Sequence, residues 1–144
     1  MTSTEEKNGW DKVYWAYCSG DLKKMLSVTK LETRASNRHF LLQSIIRDTY
    51  KLRSDEYYQQ LCLKFGEIYF EEYPVFELKL REHFKEDLPR ITAFEHYATL
   101  LTELGEYEKA ITVCKMAISF NLNDGTKSNY QGRIDRINKK IITK

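Results

Sequence analysis

A chain of 144 residues with 42% hydrophobic and 31% charged side chains can bury one core, is short for two, and does not have the composition of a disordered tail. Its 23 Lys and Arg against 21 Asp and Glu give a net charge of only +2, which excludes binding of polyanions by bulk charge alone. Two Pro and six Gly leave long helices few breakers, and 13% aromatic residues supply material for the seams between them, so the fold class expected is all-α.

The first predicted helix runs from about Gly9 to Cys18, with Trp10, Val13, Tyr14 and Tyr17 at i, i+3, i+4 and i+7 on one face. Ser19-Gly20-Asp21 ends it, Gly20 being suited to the left-handed C-cap. A short helix follows through Leu22, Met25, Leu26 and as far as Leu31. Ser36 or Asn37 can cap the third helix, about Arg38 to Leu52, whose stripe is Leu41, Leu42, Ile45, Ile46 and Thr49. Ser54-Asp55-Glu56 is a turn with a fresh N-cap, and a fourth helix from Glu56 to Glu72 buries Tyr58, Leu61, Cys62, Phe65, Ile68 and Tyr69.

Pro74 is expected to open a fifth helix through Phe76, Leu80 and Phe84, although Val75 to Leu80 also alternates like a strand. Beyond Pro89, Ile91 to Leu104 carries Phe94, Tyr97, Ala98 and Leu101 on one face, and Gly105 ends it. Its partner, Tyr107 to Leu122, places the small residues Ala110 and Ala117 where two backbones must approach closely. Asn123-Asp124-Gly125 turns the chain into a last helix, Ser128 to Ile142, apolar at Tyr130, Ile134, Ile137 and Ile141 and basic or amide elsewhere.

The segment 91–124 resembles one tetratricopeptide repeat, with its period of 34 residues read as helix, turn and helix. Phe94 stands at the early aromatic position, Ala98 at the small one, Gly105-Glu106-Tyr107 at the turn, and Ala110 and Ala117 at the small positions of the second helix. Cys114 and Leu122 depart from the pattern, replacing an aromatic and a final Pro. The tail from Asp124 to Ile134 also resembles that of small bacterial tetratricopeptide proteins, some of them phage-associated. The resemblance implies a single domain over 1–144: a right-handed array of about three antiparallel helical hairpins, a superhelix of tetratricopeptide type, closed by a capping helix at 128–142. The hairpins at 9–31 and 38–85 would be degenerate units.

Such an array implies a groove lined by the first helix of each unit, here Thr92, Glu95, Thr99, Thr102 and Glu103. Members of the family that hold a terminal carboxylate use Lys, Arg and Asn there, so Glu and Thr suggest a neutral or basic peptide instead. Charge is uneven along the chain: from Lys127 to Lys144 six Lys or Arg face one Asp. Lys127, Arg133, Arg136, Lys139 and Lys140 thus form a basic face, read either as a solvated helix end complementing its dipole or as a surface for nucleic acid or an acidic protein.

His39, His83 and His96 share no metal spacing, and adjacent pairs such as Glu5-Glu6 and Glu71-Glu72 point to different sides of a helix. His96 is expected to be exposed or at an edge; Glu71, Glu72, Tyr73 and Phe76 fit a packed helix junction or a partner-facing patch. No nucleotide-loop or nucleophile-elbow motif occurs, and no enzyme, cofactor or metal site is expected. Cys18, Cys62 and Cys114 lie in apolar runs with no CxxC pair, which suggests three buried thiols. Met1 to Asn8 lacks the pattern of a signal peptide and no apolar run is long enough to span a bilayer, so a cytoplasmic protein is expected. The function expected is a non-catalytic scaffold holding a peptide or helix of a partner protein. The alternatives are a nucleic-acid-associated or phage regulatory protein acting through the basic helix, and a self-associating homo-oligomer.

Overall fold

The computed structural model describes residues 10–143; the opening segment with Glu5 and Glu6, the expected helix start at Gly9, and Lys144 lie outside the described residues. Seven helices and no strand occur among the described residues. They are α1 (Lys12–Ser19), α2 (Leu22–Ser27), α3 (Ala35–Lys51), α4 (Glu56–Phe84), α5 (Ala93–Glu103), α6 (Tyr107–Ser119) and α7 (Asn129–Ile142). The protein is all-helical, as the composition implied.

Local chemistry explains most of the boundaries. Asp11 accepts the N–H of Tyr14 and caps α1, Asp21 accepts the N–H groups of Lys23 and Lys24 in α2, and Asp55 accepts that of Tyr57 in α4. Gly20 and Gly105, at φ of 71° and 80°, adopt the left-handed conformation that ends α1 and α5. The cap expected from Ser36 or Asn37 is not made. Helix α3 begins earlier, at Ala35, because Asn37 is used sideways: it sits beside Asp11, Thr33 and the hydroxyl of Tyr17 and ties α1 to α3.

The break expected before Pro74 is absent as well. Helix α4 runs unbroken for 29 residues with Pro74 inside it, and no strand forms over Val75–Leu80. Pro74 and Val75 are exposed, so the proline ring lies at the surface, and the carbonyl it leaves without a donor is that of the half-buried Phe70 one turn back. On the inner side Tyr73, Phe76, Glu77 and Leu80 are buried, which carries the apolar stripe across the proline. Tyr73 and Phe76 thus belong to a packed junction, with Glu72 bound to Arg38 of α3.

Helices α3 and α4 form an antiparallel hairpin: the thiol of Cys62 lies near the carbonyl of Ile46 at one end, and His39 meets Tyr69 and Phe76 at the other. Helices α1, α3, α5 and α7 lie side by side in a common direction. Tyr17 stacks on Phe40, Gln43 accepts the N–H of Thr92, Tyr50 lies against His96, and Arg133 donates to Thr99. On the other side α4 and α6 meet through Lys109 and Glu67 and through the rings of Tyr73 and Phe120.

One continuous apolar cluster runs from Val13 in α1 to Ile137 in α7. Its centre is aromatic: Phe94 of α5 packs edge-on against Tyr69 and Tyr73 of α4, with ring centres 5.6 and 4.9 Å away. Gly66 lets α5 approach α4, since a Cβ there would collide with the Tyr97 ring. The first helix corrects its expected stripe: Val13 and Ala16 are buried, while Trp10 remains 47% exposed and Tyr14 and Tyr17 are half-buried. Helix α1 packs against α2 and α3, and among the described residues that covers only part of its apolar surface. Of the cysteines, Cys62 and Cys114 are buried and Cys18 is exposed, against the expectation of three buried thiols.

Candidate functional site

The two sets of residues singled out in the sequence meet in one place. Ala98, Thr99 and Thr102 of α5 and Arg133, Arg136, Ile137 and Lys140 of α7 line an open cavity of about 160 Å³. Helical spacing puts Thr99 and Thr102 on one edge of α5, and Arg133, Arg136 and Lys140 on the facing edge of α7. Both threonine hydroxyls donate to carbonyls one turn back, Thr99 to Glu95 and Thr102 to Ala98. Their methyl groups, with Ala98 and Ile137, give the cavity an aliphatic floor.

Arg133 is the residue that closes the seam. Its guanidinium donates to the buried carboxylate of Asp124 at 2.6 Å and to the Thr99 hydroxyl at 2.8 Å. Burial pushes the Asp124 carboxyl up, but the hydrogen bonds from Thr126 and Arg133 outweigh it and hold the group below the usual carboxylate range. Asp124 is therefore an anion and Arg133 is spent on structure. Arg136 makes one long hydrogen bond, to Ser128 at 3.4 Å, and neither it nor Lys140 has a carboxylate partner among the described residues.

The remaining expected residues divide. Thr92 lies on the α3–α5 seam, its N–H bound to Gln43. Glu95 pairs with Arg90 at 2.9 Å, and its carboxyl is pushed up by burial against the pull of Arg90 and Arg133. Glu103 pairs with Arg53 through two hydrogen bonds, which hold its carboxyl down. Lys127 and Lys139 are exposed and stand outside the cavity.

Sequence reading of the groove missed the contribution of α3. Arg47 and Lys51 of α3, with Arg53 just beyond its end, lie close enough to α5 for their charges to reach His96. His96 corrects another expectation: its ring is half-buried against Tyr50, with ring centres 4.7 Å apart, and does not stand at an exposed edge. Burial first, and then the charges of Arg133, Arg47, Lys51 and Arg53, push its imidazole down to about 4. Of these cations Arg47 is paired with Asp48 at 3.0 Å, Arg53 with Glu103 and Arg133 with Asp124, and Lys51 has no carboxylate partner among the described residues. The carboxylates that suggested a neutral or basic peptide are paired with Arg90 and Arg53, which leaves Lys51, Arg136 and Lys140 as the cations of this face without a carboxylate partner among the described residues. The i, i+4 spacing of Arg47 and Lys51 was a legible signal once α3 and α5 were known to be neighbours.

Among the described residues no group of three or more His, Cys, Asp or Glu side chains is gathered as metal ligands would be, and no helix is long and apolar enough to cross a membrane. No family model matches this chain, and neither the curated proteins nor the solved structures provide a match.

Proposed function

We propose that the protein is a non-catalytic interaction scaffold of tetratricopeptide type that holds an acidic segment of a partner protein along the face shared by α3, α5 and α7. The observation that carries this reading is the meeting of Thr99 and Thr102 with Arg136 and Lys140 around one open cavity, beside an Arg133 already committed to Asp124. Cations with no carboxylate partner among the described residues attract carboxylates, and an aliphatic floor accepts the alkyl part of the same ligand. The side-by-side course of α1, α3, α5 and α7 and the repeat-like residues of 91–124 support the family reading and its superhelix. The exposed Cys18 thiol suits a reducing compartment, and we place the protein in the cytoplasm.

A peptide is favoured over single-stranded nucleic acid because no aromatic side chain lines this cavity, and stacking on aromatic rings supplies much of that binding. The test is fluorescence anisotropy with a short glutamate-rich peptide, a lysine-rich peptide and an oligothymidylate, at about 50 and about 200 mM salt. The glutamate-rich peptide should bind most tightly and weaken with salt. Preference for the lysine-rich peptide contradicts the reading, and tighter binding of the oligothymidylate moves the function to nucleic acid.

A further inference from the structure

A second surface lies at the other end of the helix order, where α1, the start of α3 and the end of α4 come together. Its most distinctive feature is an unbroken row of aromatic rings. Trp10 lies 6.4 Å from Tyr14, and Tyr14 stands edge-on to Tyr17 at 5.5 Å. Tyr17 stacks on Phe40 at 5.7 Å, Phe40 meets Phe84 at 6.4 Å, and Phe84 touches His83 at 4.7 Å. These rings border a cavity of about 210 Å³. A neighbouring cavity of about 440 Å³ shares Arg34, Ser36 and His83 with it, so the two form one trough.

Three properties narrow what the trough can hold. The first is charge. Lys79 is held by Glu82 at 3.5 Å, and Asp11, at the margin, is occupied by Thr33, Asn37 and the N–H of Tyr14. Among the described residues two cations, Arg34 and Lys79, stand with two carboxylates, Asp11 and Glu82, so the trough has no excess of positive charge to offer a polyanion.

The second is hydrogen bonding. Arg34 precedes α3 without giving it a side-chain cap, and no side-chain acceptor among the described residues meets the first-turn N–H groups of Ala35 and Ser36, both lining the trough. With the indole N–H of Trp10, the trough offers donors and therefore asks for carbonyl oxygens. The third is shape: exposed ring faces suit flat, rigid apolar groups.

We propose that this trough docks a proline-rich segment of another protein in the polyproline II conformation. Such a segment keeps its carbonyls free of internal hydrogen bonds, presents flat pyrrolidine rings, carries no necessary charge and loses little entropy on binding. A helical ligand has spent its carbonyls internally, and a nucleic acid brings charge that the trough does not answer. The proposal is independent of the acidic-segment reading, since the two surfaces share no residue.

The chain contains two tryptophans, and only Trp10 borders the trough; Trp15 lines a separate cleft with Lys24 and Val28. The exposed Trp15 can therefore be replaced, and a Trp15→Phe variant of the full chain reports on Trp10 by intrinsic fluorescence. An oligoproline peptide should shift the Trp10 emission to the blue and saturate, while a glycine-serine peptide of equal length should not. In the same background Tyr14→Ala, with its fold checked by circular dichroism, should weaken that binding by about tenfold or more, as loss of an aromatic anchor does. An oligoproline response no stronger than that of the glycine-serine peptide overturns the proposal. So does a Trp10 response to oligothymidylate or to an acidic peptide that exceeds the oligoproline response.

Discussion

The α4–α5–α6 seam and the α5–α7 seam are made of the same kinds of residue but use their charges differently. In the first, Glu67 accepts from the Tyr97 hydroxyl at 2.5 Å and from Lys109 at 3.0 Å. Nearby, Glu77 takes the Tyr73 hydroxyl at 2.6 Å and is closed by Arg81. Each of these carboxylates has its cation. In the second seam, one pair is completed by Asp124 and Arg133, and then Arg136 and Lys140 are added with no carboxylate to meet them among the described residues. A balanced seam serves stability, and a seam with cations to spare is available to a ligand. The aromatic trough at α1 is a third case, balanced in charge and left open in its rings and N–H groups.

This comparison can be broken first where packing is tightest. Phe94→Ala at the centre of the balanced seam should cost about 3–5 kcal/mol, because the cavity left among Tyr69, Tyr73 and Phe70 cannot collapse. Urea denaturation measures it; a loss below about 1 kcal/mol would show that the seam is loosely packed.

Acid should produce the next largest effect. His39 is fully buried, its Nδ1 sharing a hydrogen bond with the Tyr69 hydroxyl at 2.9 Å, and burial pushes its imidazole down to about 4. Below the ordinary value of 6.5 the unfolded chain takes up a proton that the folded chain refuses. Stability from this residue is thus complete above pH 6.5 and falls as pH drops toward 4, by roughly 3 kcal/mol in all. Denaturation midpoints measured from pH 7 to pH 5 should decline, and a flat profile would mean that His39 is not held neutral.

The smallest effect on stability is expected in the open seam. Arg136→Glu with Lys140→Glu should change stability by no more than about 0.5 kcal/mol, because both side chains are exposed and neither is paired with a carboxylate among the described residues. The same change should abolish binding of an acidic peptide. A variant that unfolds would show that these cations belong to the fold.

Much of this architecture was readable in the residues. The periodic stripes of α3, α5 and α6 gave their inner faces, and Gly20, Asp55 and Gly105 gave helix ends, since these signals act over a turn or two of chain. Pro74 misled because a proline's cost depends on whether its ring and the freed carbonyl face water, which is a tertiary fact. Trp10, Val13, Tyr14 and Tyr17 share one helical face and yet only Val13 is buried, because periodicity marks an apolar face without saying whether a neighbour covers it. The groove residues on α5 and α7 were named separately. That they meet, and that Arg47, Lys51 and Arg53 join them, follows from α3, α5 and α7 lying side by side, which no local pattern encodes.

The most direct test of the central claim is an NMR titration of the protein, labelled with ¹⁵N, with a short glutamate-rich peptide. The account predicts that the largest amide shifts gather at Thr99, Thr102, Arg133, Arg136 and Lys140 and spread to Arg47 and Lys51, and that they vanish in the Arg136→Glu, Lys140→Glu double variant. Shifts confined to the outer side of α4 or to the aromatic trough at α1, or shifts that persist unchanged in that variant, would contradict it.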